Sequence, residues 1–401
     1  MSAAGIVAEY NPLHTGHFYH ITQTCKQADG LVVVMSGNAV QRGGPAFFSK
    51  WDRARAAVLC GADLVLELPA VWACAPAERF AAGAVEILAG CGCVSMISCG
   101  SESGDSQQLR QAADAIREAE TSPLVARLLK TGITYAAARE EAVRQLCGGQ
   151  TADLLRSPNN ILAIEYLKAN AVLNHPMDFF TVRRQGAAHD SDQASGQTAS
   201  ASMLRSLYAA EEGALAGEYI PPAALEIFTR ALQRGEGNTD PARIERAILY
   251  RLKTASADEL KILPDISEGL ENRFLAAART ARSLPELLDT VKTKRYTLSR
   301  LRRIIWNLML GNTCSLTLSS PPYLRVLDFN QTRGRELLRQ IKKNGALPVF
   351  HSMADLERTF PVYAEVEKRA TTLFNLCCPE VAEVTEYPKI VPYSPDSAPT
   401  R

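Results

Sequence analysis

The stretch Gly5-Ile6-Val7-Ala8-Glu9-Tyr10-Asn11-Pro12-Leu13-His14-Thr15-Gly16-His17 decides how the chain is read. Gly5 to Tyr10 is short and apolar, as a buried strand requires, and a helical pattern runs from Gly16 to about Ala28. A loop carrying a proline joins the two. A helix that opens directly behind a strand is an anion site, because its first N–H groups lack intrahelical acceptors and the dipole is positive there. Gly16 lets a phosphate approach the backbone. His14 and His17 share one face of the first turn. Two imidazoles so placed donate hydrogen bonds to nucleotide α- and β-phosphates as charge develops in a transition state. The bland alternative is that both rings only cap or pack the turn. The preceding strand, Pro12 and Gly16 favour the functional reading.

Outward from this stretch, strand and helix patterns alternate. Leu31 to Met35 is a continuous apolar run, typical of a strand buried on both faces. Ser49 opens a helix with Asp52 three residues on, as a capping box has it, and Gly61 closes it. Asp63 to Leu68 reads as strand, Phe80 to Leu88 as helix and Val94 to Ser98 as strand. This order implies an α/β fold with a parallel sheet and right-handed crossovers, whose ligand crevice lies at the carboxyl ends of the strands. Gln107 to Asn170 is mostly helical, and Phe179 to Arg184 supplies one more strand. Gly186 to Thr198 reads as a mobile polar loop, and Ser200 starts a helix. Beyond Pro221 the pattern is mainly helical, with a frayed Pro/Ser-rich tail from Pro388 to Arg401. At 401 residues the chain exceeds what one core usually holds. The expected division is 1–205, α/β, and 206–401, mainly α-helical.

The formal net charge is +1, from 44 Lys+Arg against 43 Asp+Glu. That sum conceals a segregation. Lys292 to Lys343 holds 12 basic residues and only two acids, Asp328 and Glu336, so it carries +10 and the rest carries −9. A helix over 296–303 would bring Tyr296, Arg300 and Arg303 near one face, with Trp306 just beyond. Such a face tracks a phosphate backbone and offers a ring to an unstacked base. Lys292, Lys294, Arg295, Arg300 and Arg303 are therefore the expected RNA contacts; the ordinary alternative is a solvated charged face. No apolar run is long enough to span a bilayer, Met1 to Glu9 is no secretory signal, and the ten cysteines show neither disulfide nor zinc spacing. No metal ligand set is expected from the sequence, and a reducing cytoplasmic setting is.

Other polar residues divide between site and scaffold. Gln41, Arg42 and Lys50 follow the second strand on the same sheet edge as the histidine loop, where a cation neutralises pyrophosphate or holds an RNA backbone. Asp63 and Glu67 are expected to fix a turn. His189 and Asp190 could cap a helix or touch a ribose. Ser200, Ser202 and Arg205 form either a second phosphate-binding helix start or an ordinary capped helix.

His14-Thr15-Gly16-His17 matches the HxGH signature of the nucleotidylyltransferase superfamily. The wider set of motifs resembles the tRNA(Met) cytidine acetate ligase family over nearly the whole chain. It comprises Met35-Ser-Gly-Asn-Ala-Val-Gln41-Arg42-Gly43-Gly-Pro45, Ser49-Lys50-Trp51, Gly61-Ala-Asp63-Leu-Val-Leu-Glu67-Leu-Pro69 and Gly100-Ser101-Glu102. To these are added Ser157-Pro158-Asn159-Asn160, His189-Asp190, Ser200-Ala-Ser-Met-Leu-Arg205, Ser267-Glu268-Gly269-Leu-Glu271-Asn272-Arg273 and Lys292-Thr-Lys294-Arg295-Tyr296. The resemblance implies a Rossmann-like nucleotidylyltransferase domain. It also implies an AMP-forming ligase that activates acetate with ATP, with Mg²⁺ on the phosphates, and acetylates the wobble cytidine of elongator tRNA(Met). The family's ATP site maps onto Val7, Ala8, Glu9, Tyr10, Asn11, Pro12, Gly16 and His20, with His14 and His17 catalytic. It further takes in Gly100, Asn159 or its neighbour Asn160, and Arg183 with Arg184. Two positions depart from the family pattern: Leu13 stands where a Phe often follows the proline, and Ala188 where a Tyr often precedes His-Asp. From the residues alone two other readings stay open: a nucleotidylyltransferase acting on a small phosphorylated acceptor, and a non-catalytic ATP-sensing RNA-binding protein.

Overall fold

The computed structural model describes residues 2–184, 199–210 and 212–394. The readings placed on Gly186–Thr198, on His189 and Asp190, and on Ala188 lie outside the described residues. In chain order, the elements that position the site are β1 (Ala3–Ala8), α1 (Thr15–Thr24), β2 (Gly30–Ser36), α2 (Lys50–Leu59), β3 (Leu64–Leu68), α3 (Ala77–Gly90) and β4 (Val94–Ser101). There follow α4 (Pro158–Ala171), β5 (Asp178–Arg183), α5 (Ala201–Ala209), α6 (Glu245–Thr254), α7 (Leu284–Val291) and α8 (Leu298–Leu310). The last are β6 (Leu324–Phe329), α9 (Arg333–Asn344), β7 (Val349–Phe350) and α10 (Pro361–Cys377).

Seven strands form one sheet in the order β5-β4-β1-β2-β3-β6-β7. β1 pairs in parallel with both β2 and β4, β2 with β3, and β4 with β5. The chain winds from β1 to one side through β2 and β3, then returns to the other through β4 and β5. The strand order therefore reverses at β1, where an open parallel sheet leaves a crevice at its carboxyl edge. β2 is buried throughout, and its alternate residues enter two separate clusters. Val32 and Val34 join Leu64, Leu66, Phe80, Ala84 and Leu88 on one face, whereas Val33 and Met35 join Ile6, Ile21, Ala54, Val58 and Leu204 on the other. Burial on both faces is why this run reads as continuous β-branched sequence rather than as an alternating pattern.

The α/β architecture with a mainly helical remainder matches the sequence reading, with two additions. β6, from beyond residue 205, pairs antiparallel with β3, and β7 extends it. Moreover, the cluster on the Val32 face continues into Ile248, Phe274, Leu301, Ile305 and Leu308 of the helical half. Packing is thus continuous across the expected 205/206 division. The tail is corrected in part: Tyr393 exchanges backbone hydrogen bonds with Phe329 (3.0 Å) and Gln331 (2.7 Å), so the chain is paired to the end of β6 there rather than frayed, and residues 395–401 lie outside the described residues.

Candidate active site

At the carboxyl edge, β1 ends at Ala8 and the chain turns through Tyr10, in the left-handed region (φ 47°), and a cis Asn11–Pro12 bond into α1. His14 is the N-cap of α1. Its Nδ1 accepts from the Gly16 amide at 3.1 Å, and the His14 amide donates to Nδ1 of His17 at 3.3 Å. The two rings stack with centroids 3.7 Å apart, and Tyr10 meets the His17 ring edge-on at 5.0 Å. Because each Nδ1 accepts a backbone N–H, each neutral ring is assigned its proton on Nε2. The pair is thereby preset as two side-by-side N–H donors.

This geometry corrects two expectations. The first-turn amides of α1 are not available to an anion. Thr15 donates to the carbonyl of Tyr219 (2.8 Å), Gly16 and His17 donate to the His14 side chain, and Phe18 donates to the His14 carbonyl (3.0 Å). Gly16 serves the ring rather than a phosphate: a Cβ there would stand 3.0 Å from Cε1 and 3.1 Å from Nδ1 of His14.

The loops after β1 and β2 are locked together from below. Arg53, fully buried, donates to the carbonyls of Glu9 (2.6 Å), Ser36 (3.0 Å) and Phe48 (3.0 Å), and to that of Gly37. Burial lowers its pKa to about 10, so the guanidinium stays charged. Four carbonyls on one cation satisfy backbone acceptors that the strand ends leave without partners. Arg53 was missed by the sequence reading, since an arginine inside a helix gives no local sign of which loops it will reach. The Glu9 carboxylate accepts from the Gln41 amide (2.7 Å), and Asn11 Oδ1 accepts from the Phe47 amide (2.6 Å). Arg205 donates to the Asn11 carbonyl (2.7 Å), and Ser200 caps α5 through the Met203 amide (3.0 Å).

On the other side of the switch point, Glu102 caps α4 by accepting from the amides of Asn159 (3.3 Å) and Asn160 (2.8 Å) and from Asn159 Nδ2 (2.7 Å). Asn160 Oδ1 returns the clamp, accepting from the Glu102 and Ser103 amides at 3.0 Å each. His20 shares a hydrogen with Ser98 Oγ at 2.9 Å. Desolvation, then the nearby Arg184 charge, lower its pKa to about 4, so it is neutral. Burial also lowers the pKa of Arg184, against the opposing pull of Glu102.

These parts enclose a crevice of about 1160 Å³. Val7, Ala8, Glu9, Tyr10, Asn11, His14, Gly16, His17, His20, Gly100, Asn159, Arg183 and Arg184 line it, as do Gln41, Arg42, Ser202 and Arg205. Pro12 and Asn160 do not: Pro12 is buried in the turn, and Asn160 is buried with its side chain spent on the Glu102 loop. Leu13 is wholly buried among core residues, so its departure from the family pattern is a matter of packing.

Lys50 is corrected outright. It is fully buried, with Nζ 2.6 Å from Glu67 and 2.7 Å from Glu386, and therefore meets no anion in the crevice. Arg325 joins the same cluster, 3.0 Å from Glu67 and 2.6 Å from Glu386. Asp63 is structural as expected, accepting from the Leu31 amide (2.9 Å) and Asn330 (2.5 Å). Glu67 is buried in an ion cluster and not at a turn.

The basic segment also divides. Lys292, Lys294 and Arg295 are exposed, with Arg295 3.2 Å from Glu268. Arg300 and Arg303 are committed elsewhere: Arg300 donates to the Asp265 carbonyl (2.7 Å) and Ser267 Oγ (2.7 Å), and Arg303 to the Asp265 carboxylate (2.7 Å). Tyr296 precedes α8 and is buried beside Arg300, and Trp306 is buried too, so neither is a ring exposed for stacking from outside. Arg333, Arg335, Arg339, Lys342 and Lys343 are exposed on α9. This helix begins beside Asp63 and ends against Gly92, at the amino ends of β3 and β4. It thus runs along the sheet edge opposite the crevice.

Among the described residues no group of three or more His, Cys, Asp or Glu could hold a metal ion, and no helix is long and apolar enough to cross a membrane.

A family model described as HIGH Nucleotidyl Transferase matches residues 1–387. A tRNA(Met) cytidine acetate ligase from Caldanaerobacter subterraneus is 39% identical over 363 residues, covering 88% of this chain and 89% of the relative. Another, from a Thermoanaerobacter species, is 38% identical over 391 residues, covering 94% of this chain and 95% of the relative. The crystal structure of Thermotoga maritima TmcAL bound with alpha-thio ATP superposes with a TM-score of 0.89 at 29% identity, covering 98% of this chain and all of that one.

Proposed function

From the premise that the chain belongs to the HIGH nucleotidyl transferase family, and within it to the tRNA(Met) cytidine acetate ligases, we propose the reaction this ligase carries out. It joins acetate to the exocyclic amine of the wobble cytidine of elongator tRNA(Met), by way of an acetyl-adenylate. The observation that carries the proposal is the preset pair of Nε2–H donors on His14 and His17 at the strand switch point.

ATP lies across the carboxyl edge with its phosphates at these two rings, and Gly100, Asn159, Arg183 and Arg184 bound the nucleoside end. An acetate oxygen attacks the α-phosphorus in line, an O–P bond forms, and the bond to pyrophosphate breaks. The imidazole pair, held by backbone amides, needs no reorganisation as charge grows on the phosphates, which is where such a site gains its rate. The protein's part is positioning and charge stabilisation, with no covalent enzyme intermediate. The cytidine N4 then attacks the acetyl carbon, a C–N bond forms, the C–O bond to AMP breaks, and the N4 proton passes to solvent. The target base is unstacked to reach the crevice. A Mg²⁺ brought in with the nucleotide would offset phosphate charge beside His14 and His17, which would hold the phosphates. The exposed Lys292, Lys294 and Arg295 hold the RNA backbone. We place the reaction in the cytoplasm.

The test is incubation with ATP, labelled acetate and tRNA(Met). Label in one anticodon cytidine, together with AMP and pyrophosphate, is expected. Pyrophosphate released only with a small phosphorylated acceptor would make the enzyme a nucleotidylyltransferase, and binding of ATP and RNA without turnover would make it a sensor. His14→Ala and His17→Ala should each abolish adenylation with the fold intact, and unchanged turnover would refute the site. tRNA binding should weaken steeply with salt, and ATP binding much less.

A further inference from the structure

The crevice has a second wall that the adenylation site does not use. It comes from α6, α7 and α8, which pack against one another and present Ile248, Leu284, Leu288, Arg302, Ile305 and Trp306 to the cavity. Leu284 and Leu288 are four apart, and Arg302, Ile305 and Trp306 fall at i, i+3 and i+4, so each set occupies one helix face. A volume near 1160 Å³ exceeds the roughly 300–1,000 Å³ typical of a pocket for one small molecule.

Two side chains on this wall stand out as polar groups without partners. Arg300 and Arg303 are spent on Asp265 and Ser267, but among the described residues Arg302 makes neither ion pair nor side-chain hydrogen bond, and it is exposed into the crevice. The indole N–H of Trp306 is buried and also has no partner among the described residues. Of the two, Arg302 is the one that opens on the crevice, since the Trp306 nitrogen is sealed from solvent. The position of Arg302 is fixed by Gly43 (φ 76°), whose missing Cβ would stand 2.5 Å from the Arg302 carbonyl carbon, so the loop after β2 lies directly on the α8 backbone.

We propose that this wall is the acceptor-base subsite and that Arg302 reads cytosine in it. The inference rests on the function proposed above. The apolar side chains of this wall, with Leu284 half-buried at its rim, suit a flat unstacked base. The guanidinium fork presents paired N–H donors to O2 and N3 of cytosine, which leaves N4 for the acyl carbon. Uracil carries a proton on N3 and sets a donor against that fork. Lys292, Lys294 and Arg295 precede the same helix, so a phosphate backbone held there leads its base towards Arg302.

The experiment compares two readouts in Arg302→Ala and Leu284→Trp: acetate-dependent ATP–pyrophosphate exchange, and acetyl transfer to an anticodon stem-loop. In Arg302→Ala, transfer should fall about 30-fold more than exchange. Leu284→Trp, at a half-buried position, should fill the wall and give the same imbalance by another route. Binding of stem-loops with C or U at the target position, measured without acetate, should favour C about tenfold in the wild type and become nearly equal in Arg302→Ala. Equal loss of exchange and transfer, retained transfer in both variants, or an unchanged C/U ratio would overturn the subsite. Absence of both exchange and transfer in the wild type would instead refute the function proposed above, and the C/U binding ratio would still decide the subsite.

Discussion

Replacing Lys50 by Met tests the correction that matters most to the site. The cluster around it contains two cations, Lys50 and Arg325, and three carboxylates, Glu67, Glu367 and Glu386, all buried. Charge balance requires one neutral carboxyl. Glu367 fills that role: its Oε1 accepts from the Ala70 amide at 2.6 Å, its Oε2 lies 3.9 Å from Lys50 Nζ with no hydrogen-bond partner among the described residues, and desolvation, then the neighbouring Glu67, raise its pKa well above the usual carboxylate range. Removing Lys50 leaves Arg325 facing two ionised carboxylates, and breaking a buried pair in this way costs about 3–5 kcal/mol. Glu367→Gln should cost no more than about 1 kcal/mol, because it replaces a carboxyl that is already neutral. Glu386→Gln added to Lys50→Met restores one cation to one carboxylate, so the double variant should be more stable than the sum of the singles by about 1–3 kcal/mol. Denaturant unfolding of the three single variants, Lys50→Met, Glu367→Gln and Glu386→Gln, and of the double variant measures these differences. The pH dependence has an opposite sign for the two acids. The Lys50 and Arg325 charges overcome burial to hold Glu386 at about 2, so its contribution is full above its usual range near 4.5 and is lost as pH falls through 2. Glu367, raised, contributes at low pH and loses that contribution as pH rises through its folded value. A Lys50→Met enzyme of unchanged stability but with a KM for ATP raised more than tenfold would refute the structural assignment and return Lys50 to the phosphates.

Other substitutions probe the crevice directly. Gly16→Ala should push the His14 ring from its cap and lower adenylation about 10–100-fold with little change in overall stability, as burst and steady-state kinetics would show. Gly43→Ala combines a positive φ with overlap onto α8 and should cost about 2–4 kcal/mol, read by denaturant unfolding. Its acetyl transfer should suffer more than its exchange. His20 is held neutral, so its contribution is present above pH 6.5 and is lost as pH falls towards 4. His20→Gln should flatten that limb of the stability curve, and an unaltered limb would contradict the burial assigned to it.

Local chemistry made the strand–loop–helix at Val7 to His20 legible, because an apolar run, a turn and a helix start are encoded in adjacent residues. The same holds for the Leu31–Met35 strand and for the caps at Ser49 and Ser200. The histidine pair could be found from spacing alone. What the spacing could not supply is the acceptor of each backbone N–H, and that is what turns the site from a helix-dipole anion hole into a pair of oriented imidazoles. The fate of cations was least legible. Lys50, Arg53, Arg300, Arg302, Arg303 and Arg325 look alike in sequence, but they become a buried ion pair, a loop lock, two Asp265 anchors, a crevice donor and a second buried ion pair. Their partners lie up to 336 positions away, as between Lys50 and Glu386. Likewise the +10 segment is one block in sequence, but folding separates its α9 cations to the sheet edge opposite the crevice and buries Arg325. By itself, then, the sequence determined the parallel sheet, its switch point and the histidine turn, since these depend on periodicity and on residues within a few positions of one another. Only the tertiary structure decided which charges meet solvent, which meet each other and which face the crevice, because a charge is assigned by what desolvates and pairs it, and those partners come from distant parts of the chain.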